Sequence, residues 1–218
     1  MATVGEILRR ARTVLQERSQ DGTRWSNKEL LDWLNEAYAA LLSIRPSAFA
    51  TTVEMACQAG AQQAIPDGAE QLIDVIGTVS GLGVTRVARG TMDAVCRRWQ
   101  AEPQTDAIEH WMFEDLTPRS FWVYPPAKVG VRLNLIVAQL PERHAEAEAS
   151  PNSNDPLRLP DAYTPIVLDL VLARAFAKDA ESQANLARAS LHAQAAQAAL
   201  GLKIQADAGS SPAGDGSA

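Results

Sequence analysis

Residues 24–36, RWSNKELLDWLNE, set the start of a long amphipathic helix. Ser26 can cap the first helical turn, and Glu29, three residues later, can bond back to the backbone amide of the cap. Trp25 precedes the cap and can pack against Leu30, an arrangement known as a hydrophobic staple. These signals together predict a helix that begins directly after Ser26.

Apolar residues at helical spacing extend this pattern in both directions. Downstream, one apolar face continues from Leu30 to Leu41, and Pro46 ends the helix. Upstream, residues 3–18 carry the same spacing and predict a first helix, with Val4, Ile7, Leu8, Ala11, Val14 and Leu15 on its apolar face. The short polar link between the two helices predicts an antiparallel helical hairpin.

The apolar pattern changes to the two-residue repeat of β-strands at Thr51. Thr91 can cap a short helix, Met92–Trp99, within this part of the chain. Gly81-Leu82-Gly83 lacks the further glycine and the Lys-Ser pair of a phosphate-binding loop, so it indicates a turn. We expect an antiparallel sheet or small sandwich built from about six strands, at residues 51–57, 60–66, 71–79, 108–113, 121–124 and 131–139.

Alanine is the commonest residue between Ala162 and Ala199. Small side chains let two helices approach closely, and Asp179 with Ser182 offers a break and a restart. We therefore predict a second, tight helical hairpin that ends at Gly201, with one long helix as the alternative.

These segments predict an α+β fold. Helix hairpins at the two ends of the chain form a helical bundle from residues 1–47 and 157–201, and an antiparallel β domain, residues 48–141, is inserted between them. Residues 142–156 have no periodicity and predict an exposed connection. Residues 202–218 end in Gly, Ser, Ala and Pro and predict a C-terminal tail that is disordered or docked against a partner.

Composition excludes several classes of protein. The 218 residues are 46% hydrophobic and 21% charged, which is ordinary for a globular protein. A formal net charge of −6 argues against a protein that binds the phosphate groups of nucleic acids. Cys57 and Cys96 are far apart in sequence and have no partner at metal-ligand spacing, so we predict reduced thiols and neither a disulfide framework nor a zinc site.

Candidates for catalytic or metal-binding chemistry are few. His110, His144 and His192 fall on a predicted strand, loop and helix, and we predict each to be a surface or interface residue. The Asn152–Asp155 loop offers oxygen ligands but lacks the glycine and the distal glutamate of an EF-hand. We therefore predict no enzyme, no metal and no cofactor.

Two of the five tryptophans are candidates for contact with a partner. Trp99 ends the predicted short helix and Trp111 lies on a predicted strand, where core packing is the alternative role for both rings. The candidate assembly interface comprises Trp99, Trp111, Leu202 and Ile204, with the last two at the start of the tail.

The order and spacing of several motifs cover nearly the whole chain up to Gly201. They are Arg24–Ser26 with Glu29–Glu36, Ala59–Gly68 with Asp74-Val75, Met92-Asp93, Phe121–Pro126, and Leu172–Asp179 with Asn185. In this order they resemble the head-to-tail adaptor, or connector, proteins of tailed bacteriophages, especially the short-tailed phages. The sequence departs from the family at residues 142–156 and in the tail.

The resemblance implies a structural virion protein with a helical bundle, an inserted β domain and no catalytic residues. Adaptors of this kind form a ring, typically of twelve copies, that binds beneath the portal protein, extends the DNA channel and receives a tail or nozzle protein. Double-stranded DNA passes through without specific binding, which suits an acidic chain. No membrane is involved, and the expected location is the virion neck, after assembly in the host cytoplasm. The alternatives are another neck component such as a stopper or nozzle, a scaffold unrelated to phage, or an enzyme with an unconventional site.

Overall fold

A computed structural model describes residues 1–19, 23–179 and 182–210. The chain divides into two compact units, a helical unit of Met1–Ala40 with Glu142–Ala218 and a β unit of Leu41–Pro141. The described residues contain five α-helices: α1 (Val4–Leu15), α2 (Asn27–Ile44), α3 (Arg89–Val95), α4 (Thr164–Lys178) and α5 (Gln183–Ser210). They also contain seven strands: β1 (Ala50–Ala56), β2 (Gly60–Ala64), β3 (Ala69–Thr78), β4 (Thr85–Arg86), β5 (His110–Phe113), β6 (Ser120–Ala127) and β7 (Arg132–Gln139).

The start of α2 has the predicted capping box. The backbone amide of Glu29 donates to Ser26 Oγ at 3.2 Å, and the amide of Ser26 donates to Glu29 Oε2 at 3.0 Å. Two amides that lack helical partners are thereby satisfied. The predicted helix start is confirmed.

The predicted bundle of two helix hairpins is wrong. Helix α1 packs chiefly against α4 and does not pair along α2, while α4 also packs along α5. Trp25, at the start of α2, donates its indole Nε1–H to the Ala175 carbonyl of α4 at 2.7 Å. The reason is that α4 buries side chains on several sides and so has room for more than one neighbour: Ile166, Val167, Leu168, Val171, Leu172, Ala175 and Phe176. The spacing of apolar residues shows which face of a helix is buried, but it does not show which other element packs against that face.

The β unit is larger than the predicted insertion and is not wholly antiparallel. One sheet has three strands in the order β1-β7-β3, and the other has four in the order β2-β6-β5-β4. Strand β4 pairs parallel to β5, with Thr85 opposite His110. This strand was not predicted, because two residues are too few to show a two-residue repeat.

Apolar side chains cover both faces of the four-stranded sheet. Along β5, Trp111 joins the main core with residues of β6 and β7, whereas the next residue, Met112, points to the opposite face. That second face is covered by Met92 of α3 and by Trp99. No helix within the described ranges is both long enough and apolar enough to cross a lipid bilayer.

The predicted C-terminal tail begins as helix. Residues 202–210 continue α5, and residues 211–218 lie outside the described part of the chain. A break separates α4 from α5 at the position predicted from Asp179 and Ser182. Helix α4 ends at Lys178, and α5 begins at Gln183.

Candidate assembly surfaces

The structure places Trp99 in the interior of the β unit, where it is 1% exposed. Its ring belongs to a small apolar cluster with Ala61, Met92 and Met112, and its Nε1–H donates to Asp93 Oδ1 at 2.8 Å. A ring enclosed in this way offers no surface to a partner. Trp99 therefore has the core role that its sequence position left open.

Trp111 is also a core residue, with an exposed fraction of 2%. It packs in the main core of the β unit with Phe121, Val123 and Leu135. The guanidinium of Arg86 lies over the ring, 5.3 Å from its centroid, in a cation–π contact. Neither of the two tryptophans of the candidate interface reaches the surface.

The other two candidates, Leu202 and Ile204, are exposed on α5, by 67% and 38% respectively. They lie on different sides of the helix, because two residues along an α-helix are separated by about 200°. Leu186 and Leu191, which are not among the predicted interface residues, are exposed on the same helix by 54% and 65%. Helix α5 therefore presents apolar side chains to solvent along most of its length.

A groove of about 550 Å³ runs between α4 and α5. The sequence predicted that small side chains would let these two helices approach closely. The same small side chains leave space between the helix surfaces, and this space is the groove. Its lining is mainly apolar: Leu170, Ala173, Arg174, Ala177, Leu186, Ala189, Ser190 and Ala193.

The β unit has an exposed apolar surface of its own, formed by neighbouring turns. Val79 follows β3 and Val129 lies between β6 and β7, and their exposed fractions are 44% and 78%. Both line a cavity of about 480 Å³, together with Asp106, which pairs with Lys128 at 2.9 Å. In the sequence, the signal for this surface is a large apolar residue within each turn, and it was not among the predicted interface residues.

Residues 142–156 are tied to the helical unit and do not form the predicted exposed connection throughout. Gly5 N–H donates to the Ser153 carbonyl at 3.2 Å, and Val4 N–H donates to the Asp155 carbonyl at 2.9 Å. These bonds satisfy amides in the first turn of α1, which has no helical acceptors for them. His144 and Ser153 are buried in this segment, 4% and 7% exposed.

His144 was expected at a surface or interface, but its side chain is fully buried. The ring Nδ1 lies 2.5 Å from Asp155 Oδ2, and Nε2 lies 2.9 Å from Tyr38 Oη. Since a carboxylate only accepts, Nδ1 carries the proton and Nε2 accepts from the tyrosine hydroxyl. That hydroxyl oxygen accepts in turn from the Arg158 amide at 3.2 Å.

The His144 ring is neutral because burial lowers its pKa, outweighing the opposite effect of the Asp155 carboxylate. Both ring nitrogens are bonded within the protein, and none of the cavities described above includes this residue. The arrangement therefore holds residues 142–158 in place. Across the described ranges, no three His, Cys, Asp or Glu side chains come together as a metal-binding group.

Acidification should destabilise the protein through His144. The unfolded ring takes up a proton near pH 6.5, and the folded ring does so only at lower pH, so the free energy of unfolding falls as the pH drops below about 6.5. One proton accounts for up to about 1.4 kcal/mol per pH unit. Urea unfolding at pH 7.0 and pH 5.5 measures this loss. His144→Gln should reduce the difference between the two pH values. An equal difference in the variant and the original chain would contradict the assignment.

One protein-family model matches residues 2–215 of the chain, and its description is SU10 adaptor protein. Among curated proteins, none matches the sequence. The matched range includes all five helices and all seven strands, in both units. The resemblance to phage head-to-tail adaptors that the ordered motifs predicted is therefore confirmed. Because the match extends over nearly the whole sequence, this chain belongs to the SU10 adaptor protein family.

Proposed function

We propose that this protein is a structural virion protein that forms a ring of about twelve copies beneath the portal of a bacteriophage. In this role it extends the DNA channel and provides the attachment site for a tail or nozzle protein, without catalysis. The observation that carries the proposal is the adaptor-family match over residues 2–215. The protein would assemble in the host cytoplasm and reside in the neck of the virion.

Exposed apolar side chains support a role in assembly. The helical unit presents Leu191 and Leu202 on α5, and the β unit presents Val79 and Val129 on its turns. Exposed apolar surface costs free energy in water and is commonly retained where a partner covers it. A protein that joins portal to tail needs contacts with more than one partner, and each unit offers one such surface.

Net charge supports passage of DNA without binding. The chain has 26 acidic and 20 basic residues, for a formal net charge of −6, and a ring of twelve copies would carry about −72. Proteins bind duplex DNA mainly by neutralising phosphates and releasing counterions, which an acidic wall does not do. The duplex can then slide through the ring.

Binding to the portal is the direct test of this role. We expect the full chain to join rings of the portal protein from the same phage, as seen by native mass spectrometry. A chain truncated after Gly201, which lacks Leu202 and Ile204, should bind at least about tenfold more weakly, a loss of about 1.4 kcal/mol. Its stability should fall less than its affinity for the portal, because both apolar side chains are exposed. The truncation also removes Lys203, whose ammonium lies 5.3 Å from the centroid of the Tyr163 ring.

The outcomes separate an assembly role from a folding role. Retained stability with weakened portal binding supports the proposal. A full chain that stays monomeric at every portal concentration would overturn it. An unchanged affinity of the truncated chain would show that the C-terminal part of α5 does not contact the portal.

A further inference from the structure

Strand β1 lies at an edge of the three-stranded sheet, where β7 is its only neighbouring strand in the described part of the chain. The amide of Cys57, the residue after β1, donates to the Val131 carbonyl at 2.7 Å. Because residues of an antiparallel strand face their neighbour alternately, every second residue before Cys57 also bonds to β7. The residues between them direct their N–H and C=O groups away from β7. We call these residues the β1 edge, and they are Thr52, Glu54 and Ala56.

The backbone groups of the β1 edge have no hydrogen-bond partner among the described residues. All three residues are also exposed. A row of unpaired N–H and C=O groups is a template for one more strand, because an extended chain presents the same groups at the same spacing. The β1 edge is therefore chemically complementary to an extended polypeptide.

Among the described strands, the other three sheet edges carry features that oppose the addition of a strand. Three register shifts interrupt the pairing of β3, and a bridge from Gly77 to Gly83 covers its end. Strand β2 has a register shift between Gly60 and Gln62, and β4 is only two residues long. Bulges and short strands are common ways of protecting an edge. Strand β1 has neither, since its seven residues pair with β7 in unbroken register and include no proline, glycine or lysine.

The apolar core is incomplete beside the β1 edge. Val53 and Met55 pack against the main core of the β unit but are only partly buried. Their partners on β7, Leu135 and Leu133, are fully buried. A strand added at the β1 edge would place its side chains beside Val53 and Met55 and cover them. The added strand therefore needs an apolar residue at every second position.

The opposite face of β1 carries one charge. Glu54 is exposed there and pairs with Arg132 of β7, the strand on the side away from the β1 edge. An added strand would bring a second residue opposite Glu54 on this face, where a basic side chain forms a favourable cross-strand pair. The segment that fits the β1 edge thus alternates apolar with polar residues and has Lys or Arg opposite Glu54.

We propose that the β1 edge binds an extended segment of a different protein, which joins the sheet as a fourth, antiparallel strand. Both existing strand pairs in this sheet are antiparallel. The eight residues after Ser210, SPAGDGSA, include no β-branched, aromatic or basic residue and do not match the required pattern. A second copy would have to offer its own β1 edge, and that pairing requires a two-fold axis. Neighbours in a ring of twelve are related by a turn of about 30°, a step that rests on the proposed function.

Amide hydrogen exchange of the full chain, followed by NMR, tests whether the β1 edge is open. At about 20 μM protein, the amides of the β1 edge should exchange at least about a hundredfold faster than those of Val53 and Met55, which are bonded to β7. Similar exchange in the two sets would overturn the proposal. Protection of the β1 edge that appears only at about 500 μM would identify a second copy as the occupant and would equally overturn it.

A synthetic peptide with capped ends, TVKVKVT, is the probe for the partner strand. At about ten times its Kd, it should slow exchange of the β1-edge amides about tenfold. An antiparallel peptide with its valines on the core side directs its lysine amides toward the β1 edge and its valine amides away from it. Methylation of the lysine amide nitrogens should therefore abolish protection, and methylation of the valine amide nitrogens is the matched control that should retain it. An unmodified peptide that gives no protection, or the same result with both methylated peptides, would refute the proposal.

Glu54→Lys tests the charge of the β1 edge. The variant places a cation opposite the lysines of the peptide and should weaken peptide binding by about threefold to tenfold. The matched control is Glu70→Lys, at an exposed position of β3 with the same change in net charge, and it should bind the peptide like the original chain. Equal weakening in the two variants would contradict the proposed contact. None of these measurements includes the portal, so their outcome is independent of the test of the proposed ring.

Discussion

Trp99→Ala is expected to lower the free energy of unfolding by about 3–5 kcal/mol, the range for truncating a buried aromatic side chain. The ring is 1% exposed and packs with Met92 and Met112 against the second face of the four-stranded sheet. Its removal would leave a cavity and would also deprive Asp93 of the indole donor at 2.8 Å. The prediction distinguishes a core residue from an anchor for a partner, because an anchor can be removed with little loss of stability.

Urea unfolding of the β unit, followed by near-ultraviolet circular dichroism, measures the effect. Trp99→Phe is the control, since it keeps most of the apolar volume and should cost clearly less than the alanine variant. An alanine variant with unchanged stability but weakened assembly would return Trp99 to the candidate interface and contradict its assignment to the core.

Gly5→Ala is expected to destabilise the protein by about 2 kcal/mol, although alanine is intrinsically the better residue inside a helix by about 1 kcal/mol. A Cβ at Gly5 would lie 2.7 Å from the Pro151 carbonyl oxygen and 2.9 Å from the Ser153 amide nitrogen. Both are backbone atoms, so the clash cannot be relieved by rotating a side chain. Residues 150–155 would have to move away from α1, and the Gly5–Ser153 hydrogen bond would be lost.

Gly201→Ala on α5 is the matched control, because nothing lies within 4 Å of the Cβ position there. This substitution should stabilise the protein by about 0.5–1 kcal/mol. Thermal unfolding of the two variants should therefore shift in opposite directions. If Gly5→Ala also raised the unfolding temperature, the close packing of residues 150–155 on α1 would be refuted.

Local signals in the sequence located most of the elements. The Ser26–Glu29 capping box depends on residues three positions apart, and it forms with the predicted hydrogen bonds. Longer strands such as β7 show the two-residue repeat and were predicted close to their observed bounds, Arg132–Gln139. The parallel strand β4 was missed because its two residues pair with β5, which lies more than twenty positions away in the sequence. Pairing over that distance leaves no local pattern.

The candidate interface stays a prediction, and the structure shows only which of its residues reach the surface. Leu202 is exposed on α5, whereas Trp99 and Trp111 are enclosed by side chains from distant parts of the chain. An aromatic residue satisfies a core and an interface equally well, so its type does not decide between them. The same holds for His144, whose burial depends on Tyr38 and Asp155 and could not be foreseen from its polar surroundings in sequence.

By itself, the sequence determined the α+β composition, the start of α2, most strands and the resemblance to phage adaptors, because each of these depends on residue types at fixed spacing. Only the tertiary structure decided that α1 packs against α4 and not along α2. It also decided that Trp99 lies in the core and that residues 142–156 pack on the helical unit. These features depend on which buried surfaces meet and on how closely backbones approach. Both are set by the packing of the whole chain and are not encoded in any short stretch of it.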